Sequence, residues 1–511
     1  PFPVNKKPET LRIYSADDTL EIEDVLVGEV WLCSGQSNMV WRMQSCDRFN
    51  EFKRDSNQPA IRTFNGGVVA AEDPRTDVPG EWVVCSPETI GDFSGVAYHF
   101  GRALSDELDV PIGLINISWG GSRAEAWIRP DSLLATEIGK KAFAIWEHTQ
   151  EQMNADPAEW AAIDIDDSEW IEGSAPGNLE SFGIADEVDG IFWERIPITI
   201  PKSWAGRDLF ISLGGIDDDD TTFINGVRIG ATRGWQTPRN YVVPARLVRE
   251  GESILAIRII DGAGPGGMHA EPEDLYMHPQ DNPSDRKSIA GPARVVIAGE
   301  ASDIPLQHRP SQLYHGMLHP LLETGFAGVI WYQGENNAMG PGSAEEYSVL
   351  LPLLITDWRE ALGKPNLPFL IVQIANLDYR VPDWNFPLIR DIQRQALSLP
   401  ATGLAVTTDI GDAQDIHPRN KHDVGHRLAR WALVDSYGVE DIVKSGPLVR
   451  EVRRDRGGIV VEFDTFGSPI RGEMGSPVGG FQLSFGNNQF VDAPAEVSSN
   501  RTVRIRIPPG A

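Results

Sequence analysis

The apolar positions fall into three successive patterns along the chain. From residue 25 to about 149, short unbroken apolar runs alternate with stretches of helical spacing. Val30-Trp31-Leu32-Cys33 ends at Ser34-Gly35, and Pro111 to Trp119 ends at Gly120-Gly121. Runs this compact, with no alternating polar residues, predict strands covered on both faces. Val96 to Leu108 carries apolar residues at helical spacing between them. From about 155 to 290 helical periodicity fades and β-like runs recur at Phe192–Ile200, Leu209–Leu213, Thr222–Ile229 and Ser253–Ile260. Asn225-Gly226 is a hairpin signal among them, and Gly262 to Gly267 is a glycine-rich break. The first pattern then resumes. Gly328–Tyr332, Phe369–Ile374 and Gly403–Thr408 read as strands, while Ala344–Leu362, Ile389–Leu399 and Lys421–Tyr437 read as helices.

Strands separated by helices predict a parallel α/β sheet, and the middle stretch predicts a β-sandwich inserted into it. The expected division is a β segment at 1–24, the end of an N-terminal β unit, then α/β at 25–154. The insert follows at 155–290, α/β again at 291–440, and a β-rich segment at 441–511. In the first segment Leu11-Arg12-Ile13-Tyr14 and Leu20-Glu21-Ile22-Glu23 flank the turn Ala16-Asp17-Asp18. Two strands alone make a poor core. The last segment shows β runs at Ile459–Phe463, Phe481–Phe485 and Val503–Ile507.

Composition narrows the function. The 511 residues include 74 acidic against 45 basic, a formal net charge of -29. Such a surface repels phosphate backbones and anionic lipids, so neither nucleic acid nor a membrane surface is an expected partner. A neutral sugar polymer meets no such barrier. Three cysteines, Cys33, Cys46 and Cys85, are too few for a disulfide framework, and Cys33 lies in an apolar run that predicts a buried thiol. No run approaches the roughly 20 apolar residues of a membrane span. The chain opens Pro1-Phe2-Pro3 without Met, which fits removal of a leader and a periplasmic or secreted location.

Four segments carry chemistry, each after a predicted strand, where open α/β sheets bind ligands. The first is Ser34-Gly35-Gln36-Ser37-Asn38-Met39. A serine there can lift its hydroxyl above the sheet, although alone it reads as an ordinary helix N-cap. It lacks the second glycine of a Gly-x-Ser-x-Gly elbow. The second is Trp119-Gly120-Gly121-Ser122-Arg123, whose glycine N–H groups can approach an oxyanion or simply make a tight turn. The third is Gln333-Gly334-Glu335-Asn336-Asn337, with amide donors and a carboxylate able to orient an Arg or sugar hydroxyls. The fourth is Asp415-Ile416-His417-Pro418. Residues two apart in an extended segment point to one side, so Asp415 can orient the imidazole that deprotonates Ser37. Asp412 and Asp409 are alternative carboxylates.

Gly-Gln-Ser-Asn, Gly-Gly-Ser, Gln-Gly-Glu-Asn-Asn-Ala and Asp-Ile-His-Pro, in this order, resemble the sialate O-acetylesterase-like carbohydrate esterases of the SGNH hydrolase group. The resemblance covers roughly 25–150 and 290–437. It implies a three-layer α/β/α, flavodoxin-like SGNH domain interrupted by a jelly-roll-like β-sandwich. It implies Ser37 as nucleophile, His417 as base and Asp415 as its partner. The oxyanion hole would be the Ser37 N–H, Gly121 or Gly120, and either Gln333 or Asn336, with Gln36, Glu335 and Arg123 on the sugar. Some members place the acid three residues before the histidine, where this chain has Gln414. The implied reaction is ping-pong deacetylation of a sugar, needing no metal or organic cofactor. Acetylated plant polysaccharides of xylan or xyloglucan type and O-acetylated sialic acids both fit, and the negative charge leans toward the neutral polymers.

Three rival readings set the contrast. His422-Asp423-Val424-Gly425-His426 has the i, i+4 spacing of a zinc helix, but an internal Gly, Asp in place of Glu and no third ligand count against it. Asp217 to Asp220 has the composition of a calcium loop, against the plainer reading of a solvated acidic loop. A non-catalytic sugar-binding protein would use the insert, with Trp193, Trp204 and Trp235 stacking on rings.

Overall fold

The computed structural model describes residues 4–15, 18–154, 160–184, 190–234, 237–261, 266–299, 304–378, 381, 384–456, 458–484 and 490–507. The chain divides into two compact units, residues 1–140 with 306–511, and residues 141–305.

The first unit is built on a seven-stranded sheet. Its strands are β1 (Glu29–Gly35), β2 (Gln58–Asn65), β3 (Trp82–Cys85), β4 (Ile112–Ser118), β5 (Gly328–Tyr332), β6 (Phe369–Val372) and β7 (Thr402–Ala405). They lie in the order β7-β6-β5-β1-β4-β2-β3. All neighbours are parallel except the edge strand β3, which runs antiparallel to β2. β1 and β5 pair in register, Cys33 opposite Ile330 and Gly35 opposite Tyr332. Alternation along β5 then decides what packs where. Ile330 and Tyr332 join Trp31 and Cys33 in a core shared with α2 (Gly95–Leu108) and the C-terminal helix Lys421–Asp435. Trp331 points to the other face, meeting Trp127 at 6.0 Å and Trp358 at 5.4 Å edge to face. Trp358 lies on α3 (Ser343–Ala361), and its indole N–H donates to the Trp127 carbonyl. Helices thus cover both faces, which is why β5 and the Val30–Cys33 stretch of β1 are apolar.

Lys421–Asp435, α4, starts at the N-cap Asn420, whose side chain accepts from the Asp423 N–H. It lies so close to α2 that a β-carbon on Gly425 would come within 2.6 Å of His99 Cβ and 2.7 Å of the Phe100 nitrogen. The internal glycine that weakened the zinc reading is therefore a packing requirement. His422 and His426 share a helix face, their ring centroids 4.4 Å apart, with His422 stacked on Phe52 and edge-on to His99. Among the described residues, no group of three or more His, Cys, Asp or Glu is placed to hold a metal ion.

The second unit contains two antiparallel sheets sharing one core. Phe192, Ile196, Ile257 and Ile259 from the six-stranded sheet meet Ile211, Leu213, Tyr241 and Met277 from the five-stranded one. Asn225-Gly226 makes a two-residue hairpin with both residues at positive φ. This unit reaches beyond the expected 155–290 at both ends. Strand Gly291–Gly299 pairs along Gly190–Ile200 and belongs to the insert, because a central strand needs partners on both sides. Asp217 to Asp220 is no solvated loop. Asp217 ends one strand, Asp219 begins the next, and Asp220 is fully buried against Arg239 at 2.9 Å. Trp193 and Trp204 are 1% and 0% exposed, so neither offers a face to a sugar; Trp235 lies outside the described residues.

At the chain's two ends the expected β structure is present. Asn5–Tyr14 pairs with Thr19–Val27; Ala16 and Asp17 of the expected turn lie outside the described residues, as do residues 262–265 of the glycine-rich break. A five-stranded antiparallel sheet includes Leu448–Asp455, Gly458–Asp464 and Thr502–Ile505. Gln482–Ser484 pairs with Phe490–Asp492, and Phe485 lies outside the described residues. Cys33, Cys46 and Cys85 are free and buried, and burial pushes each thiol's pKa up.

Candidate active site

Strand order reverses at β1, which lies between β4 and β5 while the chain leaves it for β2. A crevice opens at the carboxyl ends of the strands at such a point. Four loops meet there, after β1, β4, β5 and β7.

β1 ends at Gly35 with φ +140, where a β-carbon would strike the Tyr332 carbonyl oxygen of the neighbouring strand at 2.1 Å. Only glycine lets the chain turn there. Gln36 follows as the N-cap of the short helix α1 (Ser37–Val40), without a side-chain capping bond. Ser37 is therefore not the cap that its local sequence suggests. Its Oγ lies 2.8 Å from His417 Nε2, across 380 residues of chain.

The His417 ring is held chiefly by stacking. It lies parallel to the Trp41 indole, centroids 5.1 Å apart at 15°, and the Trp41 N–H donates to the Ser45 carbonyl at 3.3 Å. Asp415 Oδ1 lies 3.9 Å from His417 Nδ1, outside hydrogen-bond reach, and accepts instead the backbone N–H of His417 at 2.8 Å. Catalytic bonds are often long before substrate binds. The other two carboxylates are engaged elsewhere. Asp412 accepts from the Gln414 N–H at 2.9 Å, and Asp409 forms a two-pronged pair with Arg427. Burial, then the nearby Lys421 charge, lower the His417 pKa below its ordinary value, while Asp415 raises it. A neutral, proton-accepting imidazole is thereby favoured.

The Gly-Gly turn after β4 lies beside the serine. A β-carbon on Gly120 would be 3.6 Å from Ser37 Cβ, and one on Gly121 would be 3.9 Å from Asn336 Nδ2. A His308 ring N–H donates to the Gly121 carbonyl at 2.8 Å, and Trp119 N–H donates to the Gly35 carbonyl at 3.1 Å. These bonds fix the turn against the serine loop.

Gln333 and Asn336, indistinguishable in sequence, do different things. Gln333 is wholly buried, and its amide nitrogen donates to the Ser122 carbonyl at 3.1 Å and to Asn337 Oδ1 at 2.7 Å. Asn337 in turn accepts from the Ala124 N–H and donates to Glu125. Both are committed to joining this loop to the Gly-Gly turn, so of the two amides the sequence leaves open as oxyanion donors, Gln333 has both its hydrogens engaged. Asn336 is half-buried. Its Oδ1 is taken by Arg123 Nε at 3.0 Å, which turns Nδ2 toward Gly121, and no described residue accepts from that nitrogen.

The residues expected on the sugar also have other partners. Gln36, 3% exposed, accepts from the Gly334 and Asn336 N–H groups at 3.3 and 3.4 Å. Arg123 holds Asn336 and donates to the Met339 carbonyl. Glu335 is 1% exposed and accepts from Asn38 at 2.6 Å, and burial raises its pKa. Gln36 and Glu335 therefore offer almost no surface and are engaged with the loops themselves. Sequence reasoning missed Trp41, His308 and Lys421. Trp41 and Lys421 each lie four residues after a named one, Ser37 and His417, a spacing that carries no signal outside the fold.

The chain is similar in sequence and fold to known carbohydrate esterases. A family model for carbohydrate esterase, sialic acid-specific acetylesterase, matches residues 293–434, which include the Gln333–Asn337 loop and His417 but not Ser37. The chain is 26% identical over 463 residues to a sialate O-acetylesterase of Rattus norvegicus, covering 85% of this chain and 61% of that protein. Against the Homo sapiens sialate O-acetylesterase the identity is 24%, covering 85% and 58%. The chain thus spans about three-fifths of the length of these relatives. A crystal structure described as a novel carbohydrate acetylesterase from Xanthomonas citri superposes with TM-score 0.60 and 25% identity, covering 98% of this chain and 76% of that one.

Proposed function

We propose that this chain, which resembles sialate O-acetylesterases in sequence and a carbohydrate acetylesterase in fold, releases acetate from O-acetylated sugars with Ser37 as the acyl acceptor. The observation that carries the reading is the 2.8 Å approach of Ser37 Oγ to His417 Nε2 beside Gly120, Gly121 and Asn336. Ser37 Oγ attacks the acetyl carbonyl as His417 Nε2 takes its proton. The oxyanion that forms is met by the Ser37 N–H, a glycine N–H of the turn and the free amide of Asn336. As the intermediate collapses, the protonated His417 gives its proton to the departing sugar oxygen. Water then adds to the acetyl-serine with His417 as base, acetate leaves, and Ser37 recovers its proton. Asp415 faces the imidazolium as a counter-charge rather than as a hydrogen-bonded partner.

Two considerations pull the substrate in different directions. The names of the relatives point to O-acetylated sialic acid, whereas the net charge of -29 disfavours an anionic sugar at long range. Acetate release from O-acetylated sialic acid, acetylated xylan and acetylated xyloglucan separates them, with Ser37→Ala and His417→Ala as controls. Release from at least one substrate, lost in both variants, is expected. No release from any, or full activity in Ser37→Ala, contradicts the reading.

A further inference from the structure

Behind the serine and histidine lies a polar cluster with no place in the chemistry above. Lys421, Asn38 and Glu335 are each 1% exposed. Lys421 Nζ donates to Asn38 Oδ1 at 2.5 Å, and Asn38 Nδ2 donates to Glu335 Oε1 at 2.6 Å and to the Ile416 carbonyl at 2.9 Å. Burying an ammonium and a carboxylate costs several kcal/mol for each ion unless the geometry repays it. Here the two charges do not touch, so they gain little of the direct attraction that usually repays that cost.

What they do is fix an amide. A carboxamide can be rotated to exchange its oxygen and nitrogen, and an ammonium that only donates at one end, with the Glu335 carboxyl and the Ile416 carbonyl accepting at the other, leaves one orientation. That amide belongs to the neighbour of Ser37, and it bonds the neighbour of His417 and the neighbour of Asn336. One side chain thus ties together the three backbone segments that carry the proposed nucleophile, base and oxyanion donor. We infer that Lys421 and Glu335 are positioning residues which, acting through Asn38, hold Ser37, His417 and Asn336 in register. This inference rests on the esterase reading of those three residues.

The surroundings of Lys421 give the cluster a pH signature. Trp41 and Tyr332 present their rings at 5.7 and 5.4 Å, and the Tyr332 phenol, Cys46, Glu335, Asp415 and His417 are titratable groups near it. Burial lowers the Lys421 pKa to about 8. As pH rises through that value, its charge-assisted bond to Asn38 becomes an ordinary neutral one and kcat falls by about fivefold. Stability moves the other way. A lysine with a depressed folded pKa opposes folding fully below about pH 8, and that cost fades as pH rises toward the ordinary value of 10.5. Activity and stability therefore diverge above pH 8, which a merely structural lysine would not produce.

The test is kcat and KM for p-nitrophenyl acetate from pH 5 to 10, corrected for spontaneous hydrolysis, with a thermal melt at each pH. Wild type, Lys421→Met and the paired variant Lys421→Met/Glu335→Gln are compared. The paired variant removes both charges together, so no lone buried ion remains to unfold it. It is expected to melt cooperatively, to lose about 100-fold in kcat with little change in KM, and to lack the alkaline fall. Its acid limb moves upward, because the Lys421 charge no longer lowers His417. A folded paired variant with wild-type kcat, or with reduced kcat but unchanged limbs, overturns the inference. If neither variant folds, the wild type decides, because a flat alkaline profile to pH 10 in a folded enzyme overturns it and a fall near pH 8 upholds it. Ser37→Ala run alongside keeps the two proposals apart, since wild-type hydrolysis in that variant sinks the esterase reading itself.

Discussion

Each unit of the molecule buries an ionic cluster, and the two are built on different plans. In the insert, Arg239 and Asp220 are fully buried and in direct contact at 2.9 Å. Arg239 also donates to the carbonyls of Gly234, Thr237 and Asp218, and Asp220 accepts from Tyr241 and Thr222. The α/β unit instead separates Lys421 from Glu335 by an amide and leaves Glu335 Oε2 buried with no partner among the described residues. A saturated cluster holds a fold together. The unsaturated one lies one residue away from a serine bonded to a histidine, where the positioning role inferred for it would act.

The largest expected effect is on the functional side. Ser37→Ala lowers kcat by about ten-thousandfold while the melting temperature stays close to wild type. On the structural side, Arg239→Met strands the Asp220 carboxylate and costs about 3–5 kcal/mol in the unfolding of the insert. Denaturant titration measures that loss, and kcat per folded molecule is expected to be unchanged. Asn336→Ala lowers kcat by about a hundred- to a thousandfold, the usual worth of one oxyanion donor. A loss confined to KM would assign Asn336 to sugar binding instead. Asp415→Asn costs about fivefold, the effect of a unit charge near 4 Å in water-like surroundings. A ten-thousandfold loss would mean that the carboxylate closes onto the ring when substrate binds. The smallest effect is a pH limb. Because burial and Lys421 lower the His417 pKa, the acid limb of kcat/KM lies below pH 6.5, and an inflection above 6.5 would contradict that assignment.

Legibility in sequence followed the range of the forces involved. Val30–Cys33 and Gly328–Tyr332 were readable because strands buried on both faces must be apolar at every position. Ser37 and His417, which the fold brings within 2.8 Å, stand out in sequence because each sits in a short motif, the first directly after β1 and the second in the longer loop after β7. Strands β2 and β3 were not expected. Gln58–Asn65 mixes polar and apolar residues around Pro59, and Trp82–Cys85 is a four-residue edge strand. The insert's boundary was missed because Gly291–Gly299 owes its place to pairing with residues about 100 positions away. The choice between Gln333 and Asn336 was unreadable for the same reason, because Ser122 and Arg123, more than 200 residues earlier, decide it. Glu335 and Gln36 looked ligand-facing because polar residues after a strand usually are, and here both are buried in the loops' own bonding.

The most direct measurement is rapid acid quench of the enzyme turning over p-nitrophenyl acetate, followed by peptide mass spectrometry. The account predicts an acetyl group on Ser37 in the wild type, accumulating when His417 is replaced by a weaker base and absent from Ser37→Ala. An unmodified Ser37 in the wild type, with Ser37→Ala hydrolysing the ester at the wild-type rate, would contradict it.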